Sequence, residues 1–314
     1  MHLYARAVGL SGITTRSAMD TLLTEIIEKA VQNNSICYNS ESDDEDSFYE
    51  AQIYYPMLKI QKFTESEEIG GISIRGYYNP DTKVFKQTFF FPYIVGNYEH
   101  FTKEVTIERQ SDKEAYMVHC NEQGKEIVPI YFLSNIVEYL IKEKGKSLLI
   151  DRNNYISALS ISGKIILPIK QTKSQILRDK LKTKKRNRLV DLAMKGNIDA
   201  IGDLTMGDYD IISDIFDRVR KEDIYSIVNS SFIPIGLECD KYSIIGNITD
   251  LTKVINERTG EEVYYMIMEC NDNIISLGIN SKDLYGVPQV GMRFVGKVWL
   301  QGSIDFKIDD ISNS

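Results

Sequence analysis

Hydrophobic positions along the chain follow two periods, and the switches between them divide it. A helical period runs through Ala18, Leu22, Ile26, Ile27 and Ala30. Thr15 is its predicted N-cap, and the pattern fades at Asn33-Asn34. Ahead of it, residues 2–9 read as a first strand. From about Ala51 to Leu167 alternation takes over and predicts strands at 53–60, 69–77, 84–93, 104–109 and 115–120. Turn-forming residues separate them, among them Asn79-Pro80-Asp81 and Ser111-Asp112. A second helix is predicted over 131–144, where Phe132, Ile136, Tyr139 and Leu140 hold the 3.6 period and Gly145 supplies a C-cap. A hairpin is expected from 155–161 to 164–169 across Ser162-Gly163.

Residues 172–219 read as helical, with Gly196-Asn197 ending one helix and Asp208 capping another. Alternation returns near Tyr225. It predicts strands at 242–251, 263–270 and 274–279, a short helix at 281–284, and strands at 292–300 and 303–308 parted at Gln301-Gly302. Thr259-Gly260 reads as a turn, and Trp299 as buried. Strand, strand, strand, short helix, strand, strand is the order of a five-stranded OB-type barrel. Gly246, Gly291, Gly296 and Gly302 are expected at its bends. The expected fold is therefore α+β. Residues 1–169 form an antiparallel α+β domain, 170–224 a helical connector, and 225–314 a small OB-like β-barrel. No internal repeat of 20–50 residues is present.

Composition narrows the function classes. The chain has 314 residues, 43% of them hydrophobic, with a net charge of −8. That is the make-up of a globular protein able to bury its own core. No apolar run approaches the length of a membrane span. Neither a secretory signal nor a lipidation box is visible. The four cysteines, Cys37, Cys120, Cys239 and Cys270, are widely spaced and form no CxxC. Together these predict a cytoplasmic protein with reduced thiols, no cofactor and no metal. The acidic run at 41–50 reads as a solvated loop, since a calcium loop would place a glycine at its turn.

Charge distribution changes the picture. Between Lys170 and Arg188 nine cations face one carboxylate, Asp179, giving +8; the rest of the chain, with 28 basic and 44 acidic residues, carries −16. On a helix, Lys185 and Arg188 fall on the same side as Leu177, Leu181, Leu189 and Leu192. Two cations on an apolar side need partners if that side is packed. Either the helix breaks near Thr183, or this turn leaves the core, or acidic groups meet it. Read functionally, Lys180, Lys182, Lys184, Lys185, Arg186 and Arg188 form a phosphate-binding surface for nucleic acid. No aromatic residue lies within the cluster, so base stacking would have to come from elsewhere. Read structurally, it is an exposed inter-domain helix against an acidic body.

Catalytic groups are sparse. The histidines are His2, His100 and His119. His119 and Cys120 are neighbours on a strand and point to opposite faces, so they are not a nucleophile–base pair. There is no GxSxG, no HExxH and no GxxxxGK[ST]. The leading expectation is a non-catalytic binding or adaptor protein. One alternative is a nucleic-acid-binding protein using the basic segment. Another is an enzyme of unrecognised type with an inter-domain site.

Two signatures sit near the two ends: Met1-His2-x-Tyr4-x-Arg6-Ala7-x-Gly9, and Pro288-x-x-Gly291-x-Arg293-Phe294-x-Gly296-x-x-Trp299-Leu300-Gln301-Gly302. Together they resemble an uncharacterised, DUF3881-like family of anaerobic Gram-positive gut bacteria. The resemblance implies a bacterial cytoplasmic protein without an assigned activity. It carries over no catalytic or binding residue. Arg6 and Arg293 are marked as motif members, with a salt bridge and a strand-edge cation as their structural roles.

Overall fold

The computed structural model describes residues 2–40, 48–61, 66–110, 115–121, 129–169, 228–271 and 273–306, with 181, 184–185, 188–189, 192–193 and 195–203 between them. Of the described residues, 55% are strand and 20% helical, so the fold is mostly β and not α+β. The chain opens with a 3-10 helix, Leu3–Val8, where a strand was expected. Tyr4, Ala5, Ala7 and Val8 are all buried, a pattern that a half-buried strand with period two does not give. Gly9 ends this turn at φ 85°, in the left-handed region. Helix α1 (Arg16–Gln32) follows as expected, with Thr15 Oγ1 accepting the Ala18 amide at 3.2 Å.

Four antiparallel strands, β1 (Cys37–Tyr38), β2 (Tyr49–Gln61), β3 (Ser66–Asn79) and β4 (Val84–Ile94), form the first sheet in sequence order. The second sheet has ten strands. It takes β5 (Glu99–Gln110), β6 (Ala115–Asn121), β7 (Ile130–Leu133) and β8 (Leu148–Ile166) from the first half of the chain. Helix α2 (Ile136–Glu143) separates the last two. From the second half come β9 (Ser231–Pro234), β10 (Lys241–Ile255), β11 (Glu262–Cys270), β12 (Asn273–Asn280), β13 (Leu284–Tyr285) and β14 (Arg293–Ile304).

Topology corrects the expected C-terminal barrel. Strands β10, β11, β12, β8 and β14 pair in a closed cycle. The member that closes it, β8, belongs to the first half of the chain, and it joins β12 in parallel. The five C-terminal strands thus do not form an OB-like barrel of their own. Among the described residues there is likewise no separate helical connector. The chain leaves one sheet after β8 and returns to the same sheet at β9.

Two expected turns are absent for a common reason. Strand β8 runs straight through Ser162-Gly163, and β14 runs straight through Gln301-Gly302. At Gly163 a Cβ would lie 2.2 Å from Cε2 of Phe294, a fully buried ring. At Gly302 it would lie 2.6 Å from the buried Tyr131 ring. These glycines admit a ring against the backbone and do not make bends. Tyr131 and Phe132, expected in a helix, lie in β7, because α2 starts only after Asn135. Asn135 exchanges hydrogen bonds with the Ile304 backbone, which fixes the start of α2 on the end of β14.

The N-terminal turn is docked onto the β10–β11 hairpin. Asn256, fully buried, donates to Val8 O at 2.7 Å and accepts the Arg258 and Thr259 amides. Thr259 Oγ1 donates to Gly9 O at 2.6 Å. Beside it, the Glu261 carboxylate accepts from Ser11 N and Oγ, Asn280 Nδ2 and Lys282 Nζ. Burial pushes this carboxyl up, and those hydrogen bonds from Lys282, Ser11 and Asn280 more than offset it, holding it at about 2.

Two expectations follow. Gly163→Ala should destabilise the fold by about 1–3 kcal/mol in urea unfolding, since Phe294 has no room to retreat. Adding Phe294→Leu should recover part of that loss. The Glu261 carboxyl titrates near 4.5 when unfolded and about 2 when folded. Its contribution is present above pH 4.5 and fades as pH falls toward 2, by roughly 2 kcal/mol. Stability measured against pH should lose that component in Glu261→Gln.

Candidate nucleic-acid interface

The basic segment is an excursion whose two ends are tied by one side chain. Arg293 opens β14, pairs with Ile166 at the end of β8, and is only 3% exposed. Its Nε and Nη2 donate to Leu167 O at 3.0 and 2.8 Å, and Nη1 donates to Val228 O at 2.8 Å. Leu167 is where the chain departs and Val228 where it comes back. Burial lowers the Arg293 pKa from its ordinary value. Three carbonyl contacts to a planar fork offset part of the cost of placing that cation inside. The expected strand-edge cation is thus a buried clamp.

Lys184, Lys185 and Arg188 are helical in conformation and exposed. Among the described residues, none of the three lies within ion-pair distance of a carboxylate. Leu181 is 61% exposed, whereas Leu189, Leu192 and Ala193 are half-buried. Lys180, Lys182 and Arg186 lie outside the described residues, as do Glu41, Asp43, Asp44, Glu45 and Asp46 of the acidic run.

The groups considered for catalysis are dispersed. His119 stands half-exposed beside Glu108 at 3.7 Å, and Cys120 is buried on the other face with its thiol toward the Tyr131 hydroxyl. His100 Nε2 lies 2.8 Å from Ile274 O, a bond that stitches β5 to β12. His2 packs its ring 4.8 Å from Trp299, and burial is the main cause that brings its pKa down to about 4. All four cysteines are free thiols. Among the described residues no three His, Cys, Asp or Glu side chains converge as metal ligands would. A groove of about 740 Å³ runs open to solvent along α1, where Arg16, Asp20, Thr24 and Glu28 line it. No helix among the described residues is long and apolar enough to cross a membrane.

A family model described as "Domain of unknown function, E. rectale Gene description (DUF3881)" matches residues 5–302. The chain belongs to this family. No curated protein and no solved structure matches it. In this DUF3881 chain the two terminal signatures are neighbours in space. His2 and Tyr4 pack on Trp299, at 4.8 and 5.4 Å between ring centroids. Trp299 Nε1 donates to the buried Asp240 at 2.7 Å. Burial raises the Asp240 pKa, and the Trp299 bond works against that rise. Arg6 forms a two-point salt bridge with Asp283, its Nε at 2.6 Å from Oδ2. Asn256 and Glu261 went unread in the sequence, because an Asn or Glu beside a turn looks like any other surface residue until its partners are placed.

Replacing Arg293 by Met should free both ends of the excursion. We expect faster limited proteolysis within residues 168–227, and a global loss of about 2–4 kcal/mol from the carbonyls left unpaired.

Proposed function

We propose that this chain is a non-catalytic binding protein whose basic segment engages nucleic acid. The observation that carries the reading is the exposure of Lys184, Lys185 and Arg188 without a carboxylate partner among the described residues. In a body of net −16, cations that serve only folding would be expected to meet acids. Exposed cations without a carboxylate partner are available to phosphates, and a run of them releases counterions on binding. Ends tied by Arg293 support the same reading, since they fix where the arm leaves the sheet.

The test is fluorescence anisotropy with a labelled oligonucleotide across a salt series. Binding should weaken steeply with salt. Lys184→Ala, Lys185→Ala and Arg188→Ala combined should reduce the log–log slope by about 2–3, at roughly 0.7–0.9 per lost phosphate contact. No binding at low salt, or an unchanged slope in the triple variant, would overturn the reading.

A further inference from the structure

Where the chain leaves the sheet after β8 lies a sheet face that combines an exposed aromatic ring with exposed lysines. Tyr285 of β13 is the direct partner of Lys164 on β8, and Lys164 is the direct partner of Val295 on β14. Cross-strand partners project to the same face. Two residues along β14, Lys297 projects to that face too, opposite Ser243 of β10, which in turn faces Ile233 of β9. Tyr285 is 75% exposed, and Lys164 and Lys297 are exposed. Among the described residues the Tyr285 ring stacks on no other ring, and neither lysine meets a carboxylate.

The same face is closed over at its other end, where His2 and Tyr4 lie on Trp299. It is open at the end nearer the arm. Leu167, the residue Arg293 grips as the chain leaves the sheet, is 73% exposed, and Val287 and Val290 stand exposed in the loop after Tyr285. An exposed aromatic flanked by aliphatic side chains and lysines has the chemistry of a base against a ring with phosphates alongside.

We propose that this face is a platform for single-stranded nucleic acid. An unpaired base stacks on Tyr285, and Lys164 and Lys297 take the adjoining phosphates. The proposal deepens the reading above and rests on it. It also supplies the aromatic surface that the basic cluster itself lacks. Single strands are selected because a duplex keeps its base faces stacked inside, out of reach of a ring on the outer face of a sheet.

The experiment compares the full-length wild-type chain with Tyr285→Ala, Tyr285→Phe and the pair Lys164→Ala/Lys297→Ala. The probes are a labelled oligo-dT strand, a labelled duplex of equal length, and unlabelled heparin as competitor. Tyr285→Ala should lose about tenfold or more on the single strand, the size of one lost base stack, and nothing on the duplex. Tyr285→Phe should keep wild-type affinity. The lysine pair should lower the single-strand salt slope by about 1.4, at ~0.7 per contact. Equal single-strand affinity in Tyr285→Ala, with salt-steep binding that the arm variants still weaken, would sink the platform and leave the arm reading standing. So would wild-type preference for the duplex, or heparin competing equally against wild type and Tyr285→Ala. Absence of binding to either strand form would overturn both.

Discussion

The pairing of β8 with β14 is the constraint on which the rest of the molecule depends. The two strands run antiparallel from Asn154↔Ile304 to Ile166↔Arg293, with one bulge between Gly296 and Val298. Strand β8 also pairs with β5, β12 and β13. Five of the other eight strands of the large sheet therefore pair directly with β8 or with β14. A one-residue slip would turn Ala158, Leu159 and their neighbours over and break every ladder at once. Buried polar groups set that register. Asn154, fully buried, donates to Thr102 Oγ1 at 2.9 Å and accepts from the Tyr131 hydroxyl at 2.8 Å. Gln301 donates to Pro92 O at 2.8 Å and so ties the large sheet to the first one.

That ladder also explains why the chain leaves the sheet after β8 and rejoins it beside the same corner. Strand β8 ends where β14 begins, and Arg293 stands at that corner. Its guanidinium reaches the carbonyls on both sides of the excursion, so some sixty residues depart and return at a single point. The charge is separated along the sequence: nine of the 37 lysines and arginines fall between residues 170 and 188. The net −8 of the whole chain is an average over two oppositely charged parts.

Local elements were legible in the sequence to the extent that their signal is local. Helix α1 was readable from its period and its Thr15 cap, and strands β2 to β6 and β10 to β12 from alternation between turns. The errors fall at particular residues. Gly163 and Gly302 read as turns because glycine ends strands more often than it admits a ring. Phe294 and Tyr131 lie far away in sequence, so nothing near either glycine announces them. The opening turn read as a strand because Leu3–Val8 is short and mostly apolar, and the seat that buries Tyr4, Ala5, Ala7 and Val8 includes Asn256, about 250 residues on. Of the site, the charge of Lys184, Lys185 and Arg188 was plain, while Tyr285 beside Lys164 was not, being two strands that meet only in the folded sheet.

By itself the sequence determined helix α1 and strands β2 to β6 and β10 to β12, where the positive charge concentrates, and that two end signatures mark the family. Each of these depends on neighbours within a few residues, where side-chain period, caps and charge density act. Only the tertiary structure decided that one sheet takes strands from both halves, that Arg293 closes the arm, and that an open aromatic-and-lysine face lies at its root. Those outcomes depend on which distant strands pair. Pairing is decided by the best collective burial among all of them, with Asn154, Asn256 and Gln301 each needing its partners in one register, and no stretch of the chain carries that information alone.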